Sequence, residues 1–267
     1  MAPSQIHFRS ISLPSRLHPI NPTGFESELQ KLNSCISTNT PITSETIQSS
    51  LLGLAELYTS IDKLTQNHHQ DGKSIENSLE SSVEFLDSCN NIRELAQMIR
   101  ENVQALQSAL RRKGPTAQND VNSYFCFRKK MNKCISKSLK TLKNLESKNG
   151  SDVSLTDQAT IAVFKSVFVF LSWPAGRSCG WNLVSKLMNA KSTERDSRGV
   201  ISEVGCVDSV LGAFRNGDSI KGVDLQMVIR SLQNLDDCVE GIELGLQRLF
   251  RQLMQCRVTY LNILTDH

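Results

Sequence analysis

The histidines are the residues with which this chain could perform acid–base or nucleophilic chemistry. They lie in segments without a regular apolar pattern, two in a proline-rich N-terminal stretch, two in a polar loop and one at the last position: His7, His18, His68, His69 and His267. A general base must be held rigidly within hydrogen-bonding distance of its target, and none of these segments offers such support. We therefore expect a protein that is not an enzyme.

The eight cysteines are scattered and include no C-x-x-C pair. No H-E-x-x-H or Glu-x-x-His spacing accompanies them, so we expect neither a metal site nor a cofactor. The N-terminus has no apolar secretory segment, which favours a reducing compartment over a disulfide framework. We expect a cytoplasmic protein, with peripheral membrane attachment as a second option. Organellar import is a weaker alternative, suggested by the acid-free, transit-peptide-like composition of the N-terminus.

A basic segment between Arg111 and Lys148 holds eleven Lys or Arg and two acids, in a chain whose formal net charge is only +3. Apolar residues recur there at helical spacing, and basic residues fill other directions of the same helix: Arg128, Lys129, Lys130, Lys133, Lys137, Lys140 and Lys143. This pattern fits a solvated bundle face, or binding to anionic lipid headgroups or an acidic partner. Lysine predominates and aromatic residues do not interleave with the charges, so we do not expect nucleic acid binding.

The N-terminal stretch contains a candidate phosphorylation motif. Arg9, Ser10, Ser12 and Pro14 form the R-S-x-S-x-P pattern that 14-3-3 proteins recognise once the second serine is phosphorylated. Arg9 suits a basophilic kinase, and the phosphate adds about −1.5 to −2 charge for an arginine cluster to bind. The alternative interpretation is a short, serine-rich tail that matches the pattern by chance.

The elements that must position these residues are predicted to be helical. Apolar residues step by three and four along the chain beyond residue 25, and no convincing run alternates with period two. Helices are expected near 47–64, 75–110, 127–145, 154–171 and 181–190. Residues 1–24 hold four prolines and no acid, which predicts a disordered arm.

The C-terminal segment carries the most regular apolar pattern, a heptad seam from Leu225 to Ile263. An unbroken helix of this length spans roughly 57 Å. Gly241 and Gly245 are expected to let a neighbouring helix approach closely. The seam fits either an intramolecular bundle or a homodimeric coiled coil, and the lack of a Glu/Lys pairing code beside it favours the bundle. We expect a monomer or weak homo-oligomer.

Together these patterns predict an all-α fold, an elongated antiparallel helical bundle with a long C-terminal heptad-patterned helix and a disordered N-terminal arm. The bundle domain is expected over residues 25–267, with 25–148 and 154–267 as candidate halves. The predicted domain boundary therefore falls at the end of the proline-rich stretch, where helical spacing begins.

Short blocks along nearly the whole chain carry a family resemblance. Among them are HFRSISLPSR at 7–16, LQSALRR at 106–112, WNLVSKLM at 181–188 and LFRQL at 249–253. In this order they resemble the recurring blocks of a plant-specific family catalogued as domain of unknown function 241. The resemblance implies a helical plant protein associated with root and shoot development, without an assigned enzymatic activity. The leading hypothesis is a non-enzymatic, intracellular interaction or regulatory protein, and the alternative is a peripheral membrane or exocytosis-related adaptor that uses the basic helix.

Overall fold

In a computed structural model, the described part of the chain is almost entirely helical. It comprises residues 42–67, 72–148, 154–172, 202–215 and 225–265, together with 27, 29–32 and 34. The helices are α1 (Ser44–Asn67), α2 (Gly72–Lys113), α3 (Gln118–Lys148), α4 (Leu155–Leu171), α5 (Glu203–Arg215) and α6 (Leu225–Thr265). No β-strand occurs in these ranges, and the predicted all-α fold is confirmed. The arm predicted over 1–24 and the helix predicted over 181–190 lie outside them.

Local sequence signals explain where several helices begin and end. A single 3-10 turn, Gly114–Thr116, joins α2 to α3. Gly114 adopts a φ of 57°, a left-handed conformation that glycine tolerates without a steric penalty. At the start of α4, the hydroxyl of Ser154 accepts a hydrogen bond from the Asp157 N–H at 3.0 Å, which caps the helix.

Helix α6 is continuous over 41 residues, and its apolar seam forms the centre of the bundle. The seam residues from Val228 to Tyr260 are buried, while Leu225 and Ile263 at its two ends are partly buried. Helices α1, α2 and α5 of the same chain cover the seam. The heptad pattern is therefore satisfied within the chain, as the intramolecular interpretation predicted.

Helices α2 and α6 run antiparallel. The Arg100 side chain pairs with Asp236, whereas Arg257 near the other end of α6 donates a hydrogen bond to the Leu79 carbonyl at 2.9 Å. Higher residue numbers in α2 thus meet lower numbers in α6. Buried side chains from all six helices form one core.

Helix α1 runs parallel to α6 and packs closely against it. Gln48 Nε2 donates to the Cys238 carbonyl at 3.3 Å, and further along both helices Leu51 lies beside Gly245. A Cβ atom added at Gly245 would lie 3.2 Å from Leu51 Cβ, and one at Gly241 would overlap the Gln48 side chain. The predicted role of the two glycines in close approach is confirmed.

Helix α5, which the sequence patterns did not predict, covers the part of α6 that α1 leaves open. The Ser44 N–H donates to the Glu203 carboxylate at 3.1 Å, so α1 and α5 begin side by side. At its other end, Arg215 offers its carbonyl to the Gln118 amide at the start of α3. Because α1 and α5 begin side by side, α1 runs towards the C-terminal end of α6, and α5 runs towards the N-terminal end of α6.

Candidate functional site

Helix α3 carries the basic segment, and one side of this helix is built into the core. Val121, Tyr124, Met131, Ile135 and Leu142 are all buried, and the helix packs against α2, α4 and α5. Successive residues are offset by 100° around an α-helix, so residues on the opposite side point away from the bundle. The core contacts thus fix which side chains α3 presents to solvent.

Six exposed lysines occupy this outward side and define the lysine face: Lys129, Lys130, Lys133, Lys137, Lys140 and Lys143. They fall within an arc of about 140° and extend along about 21 Å of helix. None of the six forms an ion pair with another described residue. The two acids of α3 are engaged elsewhere, since Asp120 pairs with Lys113 and Glu146 with Lys165.

The lysine face presents positive charge and no large exposed apolar side chain. The large apolar side chains that are exposed in the described ranges all belong to α1, α2, α4 and α6. A helix that inserts into a lipid interface needs apolar side chains beside its charges. The lysine face is therefore suited to contact an anionic surface by charge, without insertion.

Arg128 does not belong to this surface. Only 1% of its side chain is exposed, so the prediction that it contributes to an anionic-surface site is wrong. Residue 128 follows Tyr124 by four positions and precedes Met131 by three, which places it on the buried side of α3.

Arg128 instead forms a buried network that joins three helices. Its Nη2 atom lies 3.0 Å from Asp208 Oδ2 on α5, and its Nη1 donates to the Leu171 carbonyl at 2.9 Å. The Tyr124 hydroxyl donates to Asp208 Oδ1 at 3.0 Å. Leu171 is in the last turn of α4, where carbonyls lack partners within the helix. The network therefore ties α5 and the end of α4 to α3.

Burial governs the ionisation of this network. It raises the pKa of the Asp208 carboxyl, an effect that the Arg128 charge and hydrogen bonds oppose. It also raises the pKa of Tyr124 well above its ordinary value, so this phenol stays protonated as a hydrogen-bond donor. The network has a structural role, which is to fix the helix that carries the lysine face.

A second ion-pair cluster, also not predicted from the sequence, joins α2 to α6. Arg100 contacts Asp236 at 3.0 Å, Glu240 at 3.1 Å and Glu243 at 2.8 Å. Beside it lies a polar surface groove of about 650 Å³. Two carboxylates that line this groove, Glu240 and Glu243, are already paired with the Arg100 guanidinium. The cluster therefore serves to join the two helices.

A match to a known protein family extends over most of the helical bundle. The family model described as Protein BPS1 matches residues 50–263, which include the lysine face and the Arg128 network. The chain belongs to the BPS1 family. BPS1 is a plant protein family, which agrees with the plant origin implied by the resemblance. No curated protein and no solved structure matches the chain.

The candidate 14-3-3 motif precedes the segment that the BPS1 model matches. Arg9, Ser10, Ser12 and Pro14 lie outside the described residues, and their role stays a prediction. Within the ranges that are described, no helix combines the length and hydropathy needed to cross a bilayer.

Proposed function

We propose that this chain is a non-enzymatic helical interaction protein that acts in plant root and shoot development and binds an acidic partner protein through its lysine face. Membership of the plant BPS1 family supports the developmental setting. The resemblance noted in the sequence supports the link to root and shoot. The lysine face supports the mode of binding.

The observation that carries this proposal is the row of six exposed lysines, none of which forms an ion pair with a residue in the described part of the chain. Helix α3 holds the backbone of all six lysines in place along one side, so binding requires little ordering of the backbone. Charges of this kind steer association and lose their effect as salt shortens the screening length, which is about 10 Å at 0.1 M. Binding through this face should therefore weaken steeply with ionic strength.

Affinity purification from plant tissue tests the proposal. The bait proteins are the wild type, a variant with Lys133, Lys137 and Lys140 changed to Glu, and a matched variant with the same residues changed to Arg. We expect acidic proteins that bind the wild type and the Arg variant to be lost with the Glu variant. Identical partner sets for the Glu variant and the wild type would contradict docking through this face.

A second candidate function is that of a peripheral membrane adaptor. The observation that favours it is the all-lysine composition of the face, because lysines act as point charges that suit a diffuse layer of headgroups. Each lysine near an anionic membrane contributes about 1 kcal/mol. Loss of three lysines should therefore weaken binding more than a hundredfold, given a tenfold change for about 1.4 kcal/mol.

Co-sedimentation with phosphatidylserine-containing vesicles at low salt tests this second candidate. The wild type and the Arg variant should sediment with the vesicles, and the Glu variant should remain in the supernatant with unchanged helicity. Absence of wild-type binding at low ionic strength would eliminate the membrane function and leave the acidic protein partner.

A further inference from the structure

A cavity of about 300 Å³ lies where the end of α1, the first half of α2, the start of α4 and the end of α6 meet. This volume corresponds to about ten water molecules at roughly 30 Å³ each. It lies at the lower end of the range that is typical of small-molecule sites. Apolar side chains form part of its wall, among them Ile61, Leu64 and Leu253.

Three aromatic rings are among the described residues that line this cavity: Tyr58, Phe85 and Tyr260. The Tyr58 hydroxyl is paired with Thr160 Oγ1 at 2.9 Å, whereas the Ser78 hydroxyl on the cavity wall donates to the Ser74 carbonyl at 3.0 Å. Because the Tyr58 hydroxyl already has a partner, what Tyr58 offers to a ligand is its ring. The negative face of an aromatic ring attracts organic cations.

Asp157 gives the cavity its charge. It is the one acidic residue among the described lining residues, which include no Lys, Arg or His. Its carboxylate accepts a hydrogen bond from the Ser81 hydroxyl at 3.3 Å, and a carboxylate has room for about four such bonds. Burial raises the pKa of Asp157, because its negative charge is poorly solvated there. A cation in the cavity would stabilise the ionised form.

We infer that this cavity binds a small organic ammonium ion, whose charge lies against Asp157 and the aromatic rings and whose alkyl groups contact the apolar wall. A carboxylate among aromatic rings is the chemistry by which proteins recognise such cations. An anionic ligand would be repelled by Asp157 and would find no positive side chain in the described lining, and an uncharged one would gain no charge interaction with the carboxylate. This site is separate from the lysine face and does not depend on its function.

Isothermal titration calorimetry of the full chain tests the inference with choline and with 3,3-dimethylbutan-1-ol, an uncharged molecule of the same shape. We expect choline to bind at least tenfold more tightly than the alcohol. Asp157→Asn should weaken choline binding at least tenfold and leave binding of the alcohol unchanged. Equal affinities for the two molecules, or no binding of choline at millimolar concentration, would overturn the inference.

A pair of variants at Tyr260 tests the aromatic contribution independently of Asp157. Tyr260→Phe keeps the ring and should retain choline binding, whereas Tyr260→Leu should weaken it severalfold. Glu76→Gln, at an exposed acid of α2 that does not line the cavity, is the matched control and should change nothing. Circular dichroism checks that each variant is folded. Equal choline binding by the Leu and Phe variants would contradict recognition by the ring.

Discussion

Asp208→Ala is expected to be one of the most damaging single substitutions in the bundle. It removes the carboxylate that faces Arg128 and leaves a guanidinium whose side chain is only 1% exposed. Removal of one partner from a buried ion pair costs about 3–5 kcal/mol, because the other charge remains buried and unpaired. For a chain of this size, about 2–4 °C of melting temperature is lost per kcal/mol. We therefore expect a decrease of about 6–20 °C.

Thermal and urea denaturation followed by far-ultraviolet circular dichroism measure this loss. Glu240→Ala is the matched control, since Glu240 also pairs with an arginine but its side chain is 53% exposed. An exposed pair of this kind contributes about 0–1 kcal/mol.

A double variant, Arg128→Met with Asp208→Leu, separates the cost of an unpaired charge from the value of the pair itself. Well-packed apolar residues often replace a buried ion pair without loss. We expect the double variant to recover part of the stability lost in Asp208→Ala, because the unpaired charge is gone while the Tyr124 hydroxyl and the Leu171 carbonyl still lack their partners. The reasoning is refuted if Asp208→Ala costs no more than Glu240→Ala, or if the double variant is as unstable as Asp208→Ala.

Three further predictions concern separate parts of the chain. In urea denaturation, Gly245→Ala should lower the free energy of unfolding by about 1 kcal/mol, because overpacking against the buried Leu51 exceeds the gain in helix propensity. Gly212→Ala has open space around it and should raise the free energy of unfolding by a similar amount. The pKa of Asp157 in the folded state is raised above its ordinary value of 3.8. As the pH falls from above this raised pKa towards 3.8, the wild type should therefore gain stability relative to Asp157→Asn. The opposite trend in urea titrations would contradict this prediction. A peptide of residues 4–20 phosphorylated at Ser12 should bind plant 14-3-3 in fluorescence anisotropy, and the unphosphorylated and Arg9→Ala peptides should not.

The helices and the central seam could be predicted because their signals are local. Apolar residues at spacings of three and four identified the courses of α1, α2, α3, α4 and α6, and Gly114 marked the turn after α2. The exposed lysines were predictable for the same reason, since they alternate with the apolar positions of one helix.

Arg128 shows why the remainder could not be predicted from composition. A cation within a run of lysines suggests a surface residue, and only its register with Tyr124 and Met131 indicates the buried side. Its partner Asp208 is 80 residues away in the chain. A signal for that partner does exist, because Asp208 is an isolated acid among Val204, Val207 and other apolar residues of α5. The pairing itself depends on tertiary packing, which periodicity does not encode.

The position of α6 in the chain has a consequence for folding during synthesis. Helices α1 and α2 rest mainly on α6, yet α1 ends at residue 67 and α6 at residue 265. At about 5–20 residues per second, synthesis of α1 ends about 10–40 s before synthesis of α6 ends. Throughout this interval the apolar sides of the first helices lack their main packing partner. The nascent chain should therefore depend on chaperones that shield amphipathic helices, and a truncation within α6 should cause aggregation of the whole bundle.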